Sequence, residues 1–227
     1  MTSNKDNLQI LYEDNHLIII NKRPGDLVQG DQTQDVPLRD IVMAYIKDKY
    51  EKPGNVYVGL VHRLDRPTSG IVIFTKTSKA LTRLNESFKN RELKKTYWAI
   101  VKNPVPSKTG TLVHFLIRNQ EKNISKAYET ERNNSKKGVL HYQILKSFEH
   151  YSLLEIDLET GRHHQIRAQL KAIGCPIRGD LKYGSKRPND DGNINLHARS
   201  IEIKHPVKDE ILKITAPLPN DVLWNQC

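Results

Sequence analysis

The stretch His62-Arg63-Leu64-Asp65-Arg66-Pro67-Thr68-Ser69-Gly70-Ile71-Val72-Ile73-Phe74 sets one carboxylate among a histidine and two arginines, immediately before an apolar run. The flanking guanidinium charges favour the ionised form of Asp65, so it reads as an anion suited to nucleophilic attack rather than to proton donation. By themselves the same residues equally describe a loop carboxylate that bridges two arginines for structural reasons. The apolar run, residues 71–75, has the composition of a buried strand.

Working outward from that loop, residues 8–21 read as two short strands around the turn Glu13-Asp14-Asn15, and Pro24-Gly25 punctuates the chain after them. Residues 38–50 carry apolar side chains at Leu38, Ile41, Val42, Tyr45 and Ile46, a helical stripe. Beyond the loop, Ser78 is placed to cap a helix with Leu81, Leu84 and Phe88 on one side, in a basic neighbourhood. Strands are expected at 96–101, 112–117, 126–130, 139–148, 151–158, 201–203 and 211–214. Residues 161–173 switch to helical spacing through Ile166, Leu170 and Ile173, with Arg162, His163, Gln165 and Arg167 expected on an exposed side. Many strands with short connections, few helices and no βαβ alternation predict an α+β domain on a mainly antiparallel sheet.

His62-Arg63-Leu64-Asp65, two variable residues and Thr68-Ser69-Gly70 together resemble the catalytic signature of the RluA-type RNA pseudouridine synthases. The resemblance continues in order through Lys94-Lys95-Thr96-Tyr97, Thr160-Gly161-Arg162-His163-His164-Gln165-Ile166-Arg167, Gly179-Asp180-Leu181-Lys182-Tyr183-Gly184 and Leu196-His197-Ala198. Cys175 and Arg178 depart from it, standing where such proteins often carry a histidine and an aliphatic residue. The resemblance implies a bent, mainly antiparallel mixed sheet with flanking helices around a central catalytic cleft. It also implies one catalytic domain over 1–227, with its core at about 8–224. Only the polar residues 1–7 precede the first strand, so no N-terminal RNA-binding domain of the S4 type is expected.

In chemical terms the resemblance implies isomerisation of uridine in structured ribosomal or transfer RNA, with no cofactor and no metal. It makes Asp65 the nucleophile, Arg167 its partner, and Tyr97 the ring that stacks on the displaced base and a candidate for the final proton removal. An unperturbed phenol, with a pKa near ~10, needs local help for that step. Arg63 resembles the side chain that fills the place vacated by the flipped nucleotide. His62, Arg66, Arg162 and His164 are the other expected RNA contacts. Asp180 and Tyr183 read as turn and packing residues. His163 and His164, adjacent on an expected helix, point apart and do not chelate one ion.

Composition bounds the same question from another side. With 36 Lys+Arg against 26 Asp+Glu the chain carries +10, which favours a polyanionic partner. Two cysteines supply neither a disulfide framework nor a zinc site and suit a reducing cytoplasm. No apolar run is long enough to span a bilayer, no Gly-rich loop is present to cradle a nucleotide cofactor, and a monomer is favoured. Two other classes compete. A non-catalytic RNA-binding factor would be free to lose Asp65, Tyr97 or Arg167, all of which are present. A glycosidase would need a second carboxylate in a comparable motif, and none is evident.

Overall fold

A computed structural model of the chain describes residues 2–31, 33–190 and 192–227. In chain order the elements are β1 (Ile10–Glu13), β2 (Leu17–Lys22), α1 (Leu38–Lys49), β3 (Gly59–Leu60), β4 (Ser69–Thr75) and α2 (Ser78–Asn90). Then come β5 (Leu93–Lys102), β6 (Thr109–Asn119), β7 (Ile124–Tyr128), β8 (Lys136–Ser147), β9 (Tyr151–Leu158), α3 (Gln165–Ala172), β10 (Leu196–Lys204) and β11 (Ile211–Thr215). The expected α+β class is borne out. No helix among the described residues is long and apolar enough to cross a membrane.

The chain packs as two compact units, Met1–Lys94 with Ala198–Asp221, and Lys95–His197 with Val222–Cys227. In the first, strands run in the order β1-β2-β4-β10, with β3 beside β4 and β11 beside β10. β2 and β4 are antiparallel, Leu17 opposite Thr75 and Lys22 opposite Gly70. Every residue of both strands is buried, which is why they read as continuous apolar runs rather than alternating ones. Ile18, Ile20, Val72 and Phe74 pack with Leu38, Val42 and Ile46 of α1, each such side chain contributing on the order of 2 kcal/mol. The cap of α2 is Thr77, one residue before the expected Ser78; its hydroxyl accepts the Ala80 N–H at 3.3 Å.

In the second unit the order is β5-β9-β8-β6-β7, each pairing antiparallel. Ala99, Val101, Leu140, Leu154 and Ile156 of this sheet pack against Ile166 and Leu170 of α3. The helix is shorter than expected and differs in character. All six residues from Gln165 to Leu170 are buried, including Gln165, Arg167 and Gln169. Of the side expected to be exposed, Arg162 is exposed, but Gln165 and Arg167 are buried because their side chains hydrogen-bond inward. Gln169 donates to the carbonyl of Leu112 at 3.0 Å and to that of Gly138 at 3.2 Å.

One polar knot ties β1 to α1 and to the residue after β4. Glu13 accepts from Lys49 at 2.8 Å, Tyr45 at 3.0 Å, Tyr50 at 2.8 Å and Lys76 at 3.0 Å. Burial alone would raise its pKa, but the hydrogen bonds from Lys49, Lys76 and Tyr50 win and hold it at about 2. Because the folded value lies below the ordinary 4.5, the knot's contribution is complete above that pH and is lost as pH falls from 4.5 through about 2. The melting-temperature gap between wild type and Glu13→Gln is therefore expected to be widest above pH 4.5 and to close toward pH 2, as read by circular dichroism.

Candidate active site

In the first unit, the Asp65 loop is fixed from the side of β2. Lys22, 1% exposed at the end of that strand, donates to the carbonyls of Arg23 at 2.9 Å, Arg66 at 3.0 Å and Thr68 at 2.7 Å. Three acceptors match the three donors of an ammonium. Burial pulls its pKa down to about 7, with the attraction of Asp26 and then Asp65 acting against that. The loop closes on itself through Thr68 N–H to the Asp65 carbonyl at 3.0 Å, and Gly25 N–H donates to the Arg66 carbonyl at 2.9 Å. At its far end Gly70 has φ +107, and a Cβ there would sit on the Ala198 backbone, 2.6 Å from its nitrogen. Only glycine fits such a position.

The expected RNA contacts of this loop divide in two. Arg63 and Arg66 are exposed; Arg63 reaches Gln29 at 3.4 Å and Arg66 pairs with Asp35 at 2.7 Å. His62 turns inward, its Nε2 accepting the Ile73 N–H at 3.2 Å while its ring stacks on Phe88 at 5.2 Å. The histidine thus braces the loop against β4 and α2. Asp65 itself is half-buried.

In the second unit, β5 orients Tyr97 through its neighbours. Thr96 donates to Asp157 at 3.0 Å and Trp98 to Glu155 at 3.1 Å. Alternation then puts Tyr97 on the opposite face with Lys95 and Ala99, where it packs against the cluster containing Ile166 and Leu170. Burial lowers the pKa of Lys95 on that face. The loop before α3 is sewn to β8 by Gln165, whose Oε1 accepts from Thr160 at 2.8 Å and from Arg162 N–H at 3.0 Å, while its Nε2 donates to the Val139 carbonyl at 3.1 Å. Arg162 is exposed and donates through Nε to the Lys137 carbonyl at 3.1 Å.

Arg167 lies 5% exposed, with Nε 2.7 Å and Nη2 2.8 Å from the two oxygens of Asp180. Its Nη1 lies 3.1 Å from His164 Nε2. His164, one of the expected RNA contacts, is a buried group bonded to Arg167. His163 and His164 do not point apart: the backbone of His164 turns left-handed at φ 50 before α3 begins, and the two rings stack at 3.8 Å. Lys22, Gln165 and Asp180 were not singled out from sequence as site residues. The one signal for Lys22 is a lysine closing the unbroken run 17–20.

A family model described as RNA pseudouridylate synthase matches residues 16–172. The chain belongs to the RNA pseudouridylate synthase family. It is 36% identical over 223 residues to an uncharacterized RNA pseudouridine synthase of Bacillus subtilis strain 168, covering 95% of this chain and 70% of that one. To the ribosomal large subunit pseudouridine synthase D of Haemophilus influenzae it is 33% identical, covering 94% and 68%. The solved structure of human RNA pseudouridylate synthase domain containing 4 has the same fold at a TM-score of 0.78, with 24% identity, covering 95% of this chain and 90% of that one. The protein is accordingly an RNA pseudouridine synthase, an isomerase acting on RNA.

Replacing Lys22 by Met strips three carbonyls, one buried and two partly so, of their donor while relieving the burial of a charge. A net loss of about 2–4 kcal/mol in urea unfolding is expected, with faster amide exchange at residues 65–69. Unchanged stability and exchange would show that the loop does not depend on this ammonium.

Proposed function

We propose that Asp65, Tyr97 and Arg167 are the catalytic residues of the isomerisation, on a uridine in structured ribosomal or transfer RNA, without metal or cofactor. In that reaction the bond from ribose C1′ to base N1 breaks, the base rotates, and C5 bonds to C1′. The proton on C5 leaves and N1 regains one, so the balance is closed within the nucleotide. Asp65 acts on C1′ as the glycosidic bond breaks. Tyr97 stacks on the freed base and takes part in the final proton removal at C5. Lys95, on the same strand face, is the local cation that would ease ionisation of that phenol. Arg167 supplies positive charge to the site.

The observation that carries this reading is the way the Asp65 turn is built. The ammonium of Lys22 holds the main chain just after Asp65, at Arg66 and Thr68, and ties it to Arg23, the sort of rigid support that a nucleophile requires. Arg63 and Arg66, on the exposed side of the same turn, are placed to meet phosphate or to occupy the stack left by the flipped nucleotide. The +10 charge supports a phosphate-rich substrate. The name of the Haemophilus relative favours ribosomal over transfer RNA. The proposal includes a monomer working in the cytoplasm, where two cysteines outside any disulfide are at home.

Carbodiimide mapping of pseudouridine in total RNA from a host lacking the gene, rescued by wild type or Asp65→Asn, tests the reading. One or a few sites are expected to vanish and to return with wild type alone; restoration by Asp65→Asn would refute the nucleophile. Binding of the RNA so identified is expected to weaken about tenfold or more between 50 and 200 mM salt. A flat salt response would argue against extensive phosphate contact.

A further inference from the structure

The Gly179-Asp180-Leu181-Lys182-Tyr183-Gly184 segment does more than turn the chain. Its Asp180 is 1% exposed and holds Arg167 side-on, Oδ2 to Nε at 2.7 Å and Oδ1 to Nη2 at 2.8 Å. Tyr183 lies beneath the guanidinium, its ring centroid 4.8 Å from Cζ. On the third side, Nη1 of Arg167 is 3.1 Å from Nε2 of His164. A guanidinium only donates, so Nε2 accepts and the imidazole proton sits on Nδ1. Nδ1 therefore donates to the Tyr183 hydroxyl at 2.9 Å, which also accepts the Ser125 N–H at 2.7 Å. Burial first, and then the charge of Arg167, keeps His164 neutral by lowering its pKa to about 2.

The carboxylate that does the holding is itself immobile. Asp180 N–H donates to Ile177 at 3.1 Å, and its carbonyl accepts from Tyr183 N–H at 3.0 Å and Ser185 N–H at 2.9 Å. Gly179 before it has φ +83, and a Cβ there would meet the Asn189 side chain at 2.7 Å. A buried ion pair is an inefficient way to gain stability, since well-packed apolar residues serve as well or better. What a fully hydrogen-bonded pair provides is orientation. Asp180 and His164 engage one N–H on each guanidinium nitrogen.

We propose that Asp180 is a positioning residue for the isomerisation: with His164 and Tyr183 it fixes the plane and orientation of the Arg167 guanidinium. The proposal rests on the reading of Arg167 as a catalytic residue. Its role runs through Arg167 alone, so the effects of the two residues are not independent.

The test uses RNA labelled with 5-tritiated uridine, isolated from host cells lacking the gene, with tritium release as the rate. Asp180→Asn is expected to lower kcat by about tenfold or more, the cost of a misplaced group, with KM within about threefold. Asp180→Glu, which keeps the charge but moves the oxygens, is expected to fold like wild type and to lose kcat in the same way. In an Arg167→Gln background, Asp180→Asn should add no more than about a twofold loss. The Arg167 Nε–H resonance, slowly exchanging in wild type, should broaden in Asp180→Asn. Wild-type kcat in a folded Asp180→Asn or Asp180→Glu, multiplying losses in the double variant, or an unchanged Nε–H signal would each overturn the proposal. Failure of the broader reading is distinguishable: Asp65→Asn or Arg167→Gln would then turn over like wild type, while the Nε–H signal still reports whether Asp180 holds the guanidinium.

Discussion

The ammonium of Lys22 is where the two demands on the first unit meet. β2 is buried along its whole length in the middle of its sheet, yet the loop that β4 emerges from needs a fixed point. One lysine at the end of the strand satisfies both, because its stem continues the buried run while its head serves the carbonyls of Arg23, Arg66 and Thr68. Moving a charge out of water is costly, and the lowered pKa of Lys22 records that cost. The carbonyls, and the nearby carboxylates Asp26 and Asp65, offset it. Loop and strand are thereby bound into one rigid piece, with Asp65 at its turn.

The second unit solves a similar problem differently. Its α3 is buried on every side although half of its first six residues are polar. Gln165 and Gln169 reach main-chain groups of the sheet, and Arg167 reaches Asp180. The amide nitrogens of Gln165 and Gln169 and the guanidinium of Arg167 each have a partner, which is what lets a helix with little apolar surface sit in a core. Tyr97 rests against the same core, the cluster that contains Ile166 and Leu170. The residues proposed to act in chemistry are thus mounted on elements whose own positions are fixed by hydrogen bonds as well as by packing.

The strands and helices were legible in the sequence wherever burial follows a simple period. Residues 17–20 and 71–74 are unbroken apolar runs, and the strand expected at 151–158 has the observed ends. What resisted reading were the residues whose environment comes from distant chain. Periodicity assigned Gln165 and Arg167 to a wet face because polar side chains usually face water; their partners Val139 and Asp180 lie 26 and 13 residues away. Asp180 read as a turn residue because its turn is local while its carboxylate's partner is not. His163 and His164 were misread through a helix start placed too early, since the left-handed backbone at His164 has no signature in residue type. The motif residues Asp65, Tyr97 and Arg167 came from resemblance, as no local pattern of charge or period singles out the last two.

Lys22 recognises oxygens of the main chain, and those oxygens are the same whatever side chain the residue carries. Its grip is therefore blind to the identity of position 66, and position 63 lies outside it altogether. Arg63 and Arg66 project from the opposite, exposed side of the turn. The loop has in effect an invariant underside and an editable outer surface. With Arg63 and Arg66 as the proposed RNA contacts, exchanging them would retune which RNA shape is accepted without rebuilding the support below, so that a single scaffold could be redirected among targets by a handful of surface replacements.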